Sequence, residues 1–340
     1  MSKIVEVKQP AELNRYLTAR IYQGFDPQVL VQHQPDIHLI CVDDYNQVEA
    51  RCSLWWSDVP EMEGEKLGII GHFAADNENG DSDGSTEVLL NNACFRLKVE
   101  GCTRAIGPMD GNTWRNYRFV TDTGPNGKTE PPFFLEPSNP ASWPEYWLSY
   151  GFEPIAQYSS AITPDLNKQD ERLPKVEKRL IEKGVIFRTL DLDNFEQELK
   201  RIYDISVISF SKNFLYTPLD EDDFITQYQK VKALVQPDLT MIAEKDGSPI
   251  GYLFAIPDVN EQQRGEQVKT IIIKTVAVLP ENSHAGLGAL LVDKVQQKAR
   301  EMGFQRAVHA LMFDGNVSRN ISGHYADVMR RYTLFTKPFR

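Results

Sequence analysis

The sequence predicts an α/β chain made of two copies of one unit, and three observations carry that expectation. Apolar runs of strand length alternate with segments of helical period along the whole chain. Short identical patterns recur between the two halves at nearly constant spacing. One strand, Thr270 to Val278, leads through a glycine turn into an amphipathic helix, which is how a chain builds a seat for an anion.

In chain order, Val5 to Val7 reads as a strand and Ala11 to Tyr22 as a helix with Leu13, Leu17 and Ile21 on one face. His38 to Val42 and Val48 to Trp56 form a strand pair around the turn-forming Asp43, Asp44 and Asn46. Lys66 to Ala75 is a strand, Thr86 to Val99 a helix, and Arg104 to Met109 a strand. Asp110 to Pro144 is rich in Pro, Gly, Asn and aromatics, long for a connection and therefore functional or closely packed. Tyr146 to Phe152 and Ile155 to Ile162 close the first half. A charged link over 165–184 follows. The order then repeats: strand Val185 to Leu190, helices Phe195 to Phe210 and Glu221 to Val235, strands Leu239 to Ala243 and Ile250 to Ile256 around Asp246 and Gly247. Thr270 to Val278 is too continuously apolar for an edge and belongs in mid-sheet. Ala307 to Phe313 is the next strand, and a tail runs to Arg340.

The halves match in detail. Ile69, Ile70 and Ala74 align with Ile272, Ile273 and Ala277; Gly101, Arg104 and Ala105 with Gly303, Arg306 and Ala307; Asp110, Gly111 and Asn112 with Asp314, Gly315 and Asn316. An ancient duplication explains such spacing better than chance. The division expected is a degenerate domain over 1–165, a linker over 166–184 and a cofactor-binding domain over 185–340.

Composition excludes several classes of protein. With 41% hydrophobic residues in 340 the chain can bury a sizeable core and is not disordered. No apolar run approaches the roughly 20 residues that span a bilayer. The first ten residues lack the apolar core of a cleavable signal, so a soluble cytoplasmic protein is expected, without a membrane partner. Cys41, Cys52, Cys94 and Cys102 have no CxxC spacing, which argues for reduced thiols and against a zinc site. The net charge of −11 is concentrated: residues 1–165 carry 12 Lys and Arg against 24 Asp and Glu, while the remainder carries 37 − 12 = 25 against 48 − 24 = 24. Such a front half repels nucleic acid and favours cationic partners.

After Pro280, the loop over 281–285 enters Gly286, Leu287 and Gly288, and Leu287, Leu290, Leu291, Val295, Ala299 and Met302 then recur at helical spacing. Unpaired amides and the positive end of the helix dipole meet there, with glycines that let an anion close to the backbone. Val278, Pro280, Gly286 and Gly288 stand in register with motif A of the GCN5-related N-acetyltransferases, which this stretch resembles; Ser283 replaces the usual Gln or Arg. A dinucleotide-binding turn would need a third glycine, and Leu291 occupies that place. Asn139, Tyr146, Gly151 and Phe152 resemble the family's motif B with one residue inserted, whereas its counterpart in the back half, Asn316 to Tyr325, is degenerate. In the front half Asp76, Glu78, Asp81 and Asp83 precede the helix instead of a glycine turn and would repel a diphosphate. A calcium loop there fails at its twelfth position, Leu90.

The resemblance implies a mixed, mostly antiparallel sheet in each half, acetyl-CoA as cosubstrate, no metal, and direct transfer of an acetyl group to an amine acceptor, a small molecule or a peptide. Carried over by position, Val276, Ala277 and Val278 hold the pantetheine arm. Ser283, His284, Ala285, Gly286, Leu287, Gly288 and Ala289 hold the diphosphate, and Asn316 touches the cofactor arm. The amine must lose a proton before it attacks; Glu244, at a strand end, is the candidate base and Tyr325 the candidate acid. His309, in mid-strand, is expected to be core. The aromatics Trp55, Trp56, Trp114, Tyr117, Trp143 and Tyr146 mark the front half as a wall of the acceptor site, drawing in a cationic amine. The alternatives are a non-catalytic acyl-CoA sensor or scaffold, and an aminoacyl or long-chain acyl transferase.

Overall fold

The computed structural model describes residues 2–76, 84–125, 127, 129–168, 170–315 and 326–339. The first half contains β1 Lys3–Val7, α1 Gln28–His33, β2 Ile37–Val42, β3 Val48–Trp55, β4 Leu67–Ala75, α2 Ser85–Val99, β5 Arg104–Gly107, β6 Phe119–Asp122, α3 Ser142–Ser149 and β7 Glu153–Thr163. After α4 Leu173–Glu182, the second contains β8 Val185–Thr189, α5 Phe195–Phe210, α6 Glu221–Val231, β9 Thr240–Lys245, β10 Ser248–Pro257, α7 Val259–Gln263, β11 Thr270–Val278, α8 Leu287–Glu301, β12 Arg306–Phe313 and β13 Asp327–Pro338. All the strands join one sheet in the order β1-β2-β3-β4-β5-β13-β7-β12-β11-β10-β9-β8, with β6 beside β13. Its pairings are antiparallel except β4 with β5 and β11 with β12. This is the mixed, mostly antiparallel sheet that was expected.

The two parallel pairs share one register. Leu67 faces Arg104 and Ile69 faces Ile106 in front; Thr270 faces Arg306 and Ile272 faces Val308 behind. Helices α2 and α8 are both 15 residues long and both start after a glycine in the left-handed region, Gly84 at φ +69° and Gly286 at φ +83°. Equivalent residues thus do equivalent structural jobs, as a duplication requires.

The way the halves join was not expected. The segment expected as a tail is the 12-residue β13, which leaves its own half to lie between β5 and β7, while β7 pairs with β12 of the second half. Phe335 of β13 is buried among Phe119, Trp147 and Phe152, all from the first half. The segment over 11–22 also departs from expectation, forming 3-10 turns at Pro10–Arg15 and Arg20–Tyr22 in place of one helix. Leu13 and Tyr22 are its buried residues, so two anchors hold it where a continuous apolar stripe was expected.

Helices cover both faces of the second half. Ile271 and Ile273 of β11 pack with Leu287, Leu290, Leu291 and Val295 of α8, whereas Ile272 and Ala277 pack with Leu199 and Ile202 of α5. That alternation explains the unbroken apolar run of β11, wanted inside on both sides. Replacing Phe335→Ala should cost about 3–5 kcal/mol in urea unfolding although no front-half residue is changed; a loss under about 1 kcal/mol would refute the exchanged position of β13.

Candidate functional site

Strands β11 and β12 stay paired for four residues and then part. Their register ends at Ile273 opposite His309. Beyond it β12 continues along β7 through an irregularity between His309 and Met312, with Leu311 at φ +57°. On the other side β11 keeps to β10, with Lys274 as the extra residue of a bulge between the Ile273–Ala255 and Thr275–Phe254 pairs. Lys274 to Val278 therefore has a strand on one side and, among the described residues, none on the other. Leu279 donates its N–H to Ile250 O on β10, so by antiparallel alternation the polar groups of Val276 and Val278 turn toward the open side. The Val278 carbonyl accepts from Ser209 Oγ of α5 at 3.1 Å.

The helix start lies against the end of this strand. A Cβ added at Gly251 would come 3.2 Å from Val278 Cγ2 and 3.3 Å from Leu287 Cδ2. The N-cap of α8 is Gly286, which has no side chain to cap the helix, and a helix start presents its first-turn amides, here those of Leu287, Gly288 and Ala289, without intrahelical partners. Behind the turn, Val176 of α4 would stand 3.0 Å from a Cβ on Gly286, and Arg179 of the same helix donates to Ala285 O. Ser283 Oγ donates to Glu281 at 3.1 Å. His284 is buried, with Nδ1 3.3 Å from Leu279 O and Nε2 3.7 Å from Glu281. Both side chains are spent on the loop itself, leaving backbone as the main lining of the turn. Asn316 and Tyr325 lie outside the described residues, as do Glu78, Asp81 and Asp83.

Glu244 is not brought to this opening. Two strands away on β9, its Oε1 takes Arg188 at 2.7 Å and Arg201 at 2.7 Å, and Arg188 also holds Glu198. Burial alone would raise its pKa, but the bond and charge of Arg188 with the charge of Arg201 outweigh it and hold the carboxyl below its usual range. A carboxylate so held is a weak base. His309 is core: its Nε2 lies 3.2 Å from both Thr163 and Gln296, and burial pushes it down to about 4.

Sequence reasoning passed over Lys274, although one lysine in TIIIKTVAV was the signal. It stands where the strands part. Burial above all, and then the charge of Arg118, push its ammonium down to about 8 against the opposing charge of Glu136. Both neighbours come from the first half. Arg118 lies 4.0 Å over the Tyr117 ring and 4.3 Å over that of Tyr158, and donates to Leu311 O at 3.5 Å. Glu136 accepts from Arg330 Nε at 2.8 Å and from the Tyr332 hydroxyl. Trp114 crosses over as well, donating Nε1 to Thr217 O at 2.7 Å and packing on Phe210, Tyr216 and Phe224.

The corresponding opening of the first half is filled by its own chain. After Ile69 opposite Ile106, Met109 donates its N–H to Ile70 O and the Asp110 carboxylate takes the His72 N–H at 2.6 Å. A Cβ at Gly71 would come 2.0 Å from Met109 O.

Comparison with known proteins agrees with this geometry. The model of the Acetyltransferase (GNAT) family matches residues 199–319, the segment that holds β11, the glycine turn and α8. A "Bacterial ceramide synthase" of Caulobacter vibrioides is 26% identical over 207 residues, 58% of this chain and 50% of that protein. "Protein YghO" of Escherichia coli is 28% identical over 170 residues, 48% of this chain and 41% of that protein. The chain spans about half the length of the curated relatives it matches or less. Among solved structures, a tandem GNAT protein from the clavulanic acid biosynthesis pathway superposes with a TM-score of 0.53 at 10% identity, over 99% of this chain and 98% of that one. At that identity the likeness speaks to fold alone.

The sign of one titration follows. A lysine at about 8 when folded and 10.5 when unfolded lets the unfolded chain bind more protons between those values, so Lys274 makes stability rise with pH across that window. Lys274→Met should flatten the rise in unfolding measurements from pH 7.5 to 10.5; an unchanged slope would show that this ammonium is not depressed.

Proposed function

Because the chain is an acyltransferase of the GCN5-related N-acetyltransferase superfamily, we propose that it moves the acyl group of a coenzyme A thioester, acetyl-CoA in the simplest case, to a primary amine. The observation that supports this most is the unpaired edge of β11 standing beside the uncapped start of α8. The edge amide of Val276 suits the pantetheine arm, bound as an added strand would be. The amides of Leu287, Gly288 and Ala289 suit the diphosphate. We assign one such seat per chain, in the 185–340 unit, since residues 108–117 fill the other. Asn316 beside the cofactor arm and Tyr325 as acid remain proposals from sequence.

Lys274 replaces Glu244 as the base we propose. As a neutral amine it takes the proton of the acceptor's ammonium. The freed amine attacks the thioester carbonyl; the C–N bond forms, the attacking nitrogen gives up its second proton to solvent, the C–S bond breaks, and the thiolate leaves to be protonated by Tyr325 or solvent. Arg118 keeps Lys274 from holding its proton too tightly. The same guanidinium puts positive charge beside the seat, so we expect the acceptor amine to sit near an acidic, phosphate or hydroxyl group of its own, instead of belonging to a polyamine. The relative named a ceramide synthase supports a second reading, a long-chain acyl donor. No helix among the described residues is long and apolar enough to cross a membrane, and the four cysteines are free; we place the protein in the cytoplasm.

The test is thiol release from acyl-CoA donors of increasing chain length against amino acids, amino alcohols, aminoglycosides and polyamines. Release with at least one amine is expected. Stabilisation by acyl-CoA without release from any pair would instead mark a sensor. Lys274→Met should lower kcat about 10²- to 10⁴-fold with little change in the KM for the thioester, and the wild-type rate should climb with pH to a plateau above about 8. Gly286→Ala should do the reverse, raising that KM and sparing kcat, because its Cβ strains the left-handed turn at the diphosphate seat.

A further inference from the structure

The first half holds a second constellation that the acyl transfer does not use. His33, the last residue of α1, His72, in the middle of β4, and Asp110, in the segment that fills the front opening, bring one ligand atom each to within 4.8 Å of one another. His33 Nδ1 is 2.9 Å from His72 Nε2, and Asp110 Oδ2 is 3.8 Å from the same nitrogen. Two nitrogens at about 2.0–2.1 Å from one ion, at a tetrahedral angle, lie about 3.3 Å apart, so small rotations would bring all three onto a common centre.

We propose that His33, His72 and Asp110 hold a divalent transition-metal ion of the zinc type in the first half. The donor set is two imidazoles and a carboxylate, which suits zinc and its neighbours and leaves a position open. Behind His72 stands the orienting chain that metal-bound histidines have. His72 Nδ1 meets Ser53 Oγ at 2.9 Å, Ser53 Oγ meets His38 Nδ1 at 2.8 Å, and His38 Nε2 meets Tyr22 OH at 2.8 Å. One assignment of protons satisfies the whole row. His72 donates from Nδ1 to Ser53, Ser53 to His38, and His38 from Nε2 to Tyr22, which leaves the Nε2 lone pair of His72 facing His33 and Asp110. His72 also holds φ +45°, a conformation costly for a side chain of this size and kept where surroundings impose it. The imposition is visible: Asp110 takes its N–H and Arg51 binds its carbonyl at 2.5 Å.

Two guanidiniums bear on the affinity. Arg51 is turned onto the carbonyls of His72 and Ile21, and Arg115 onto those of His33, Asp110 and Gln32. They brace the backbone of the ligands, and their positive charge opposes a cation there and lowers the expected affinity. An ion here would staple α1, β4 and the filling segment together. That segment also carries Trp114, whose indole reaches the second half, so the ion would stiffen the acceptor wall.

Metal uptake by the full-length chain, stripped with a chelator, tests the proposal. Cobalt(II) should bind one ion per chain with the visible d–d absorption of a low-coordinate site, and zinc should displace it and raise the Tm. His33→Ala, at a partly buried position, should abolish both effects in a chain that still unfolds cooperatively without metal, its Tm lowered only by the lost contact with His72. Ser53→Ala should weaken binding about ten- to a hundred-fold by releasing His72. No stoichiometric uptake at tens of micromolar metal, or equal uptake by His33→Ala, would overturn the proposal.

Discussion

The structure depends on two parallel strands that pair for four residues and then separate. Pairing to Ile273 and His309 fixes β11 and β12 in the sheet, and separation beyond it leaves backbone donors and acceptors of β11 without a strand. Leaving a buried amide unmet costs on the order of a lost hydrogen bond, so such an edge persists only where water or a ligand can reach it. The first half shows the other solution. It has the same parallel register, but the chain after β5 doubles back, Met109 and Asp110 take up the edge of β4, and the cleft is gone. The two halves thus differ where their parallel strands part: among the described residues the edge stays open in the second half and is taken up by the chain itself in the first.

Exchange of β7 and β13 makes the halves interdependent. The buried pair of Arg330 on β13 with Glu136 of the first half, its side chains 3% and 1% exposed, sits at that junction. Arg330 also donates to the carbonyls of Thr123 and Glu130. Breaking a pair so buried costs about 3–5 kcal/mol because a charge is left unmatched, whereas an exposed pair such as Lys298 with Glu301 is worth under about 1 kcal/mol. A one-residue slip of β13 would strand Arg330 in the core. The pair therefore fixes the register of the exchanged strand, and the same Glu136 bears on Lys274. Joining the halves and tuning the site are tasks of one network.

Much of this was legible in the residues. Strand β11 and helix α5 were read with their observed ends, because long periodic segments carry their own pattern. The constant spacing between the halves reappears as a shared strand register. What escaped was whatever depends on distant partners. In β13 adjacent arginines interrupt the apolar pattern, and only Glu136, some 194 positions away, explains why one of them is buried. The Ala11 to Tyr22 segment has helical spacing but only two deep anchors. The glycine turn into α8 was readable because backbone geometry is written in glycine. The pairing of Glu244 was not, because its arginine partners come from two other elements, and the burial of Lys274 beside Arg118 cannot be seen along the chain either.

The charge of the first half has to be weighed at two ranges. Its excess of acidic residues was read from sequence as a lure for a cationic acceptor. Charges on the surface act through solvent and fade beyond about 8–10 Å at physiological ionic strength, so that excess can hasten the approach of a cation without deciding what is held. At the parting of the strands the neighbours are few and buried. Arg330 is matched by Glu136, whereas Arg118 rests on the rings of Tyr117 and Tyr158 and on a main-chain carbonyl, with no paired carboxylate among the described residues. The local balance is therefore positive even though the domain as a whole is strongly negative. Charge at the surface and charge beside Lys274 thus have opposite signs, and net charge alone does not describe what surrounds the buried amine.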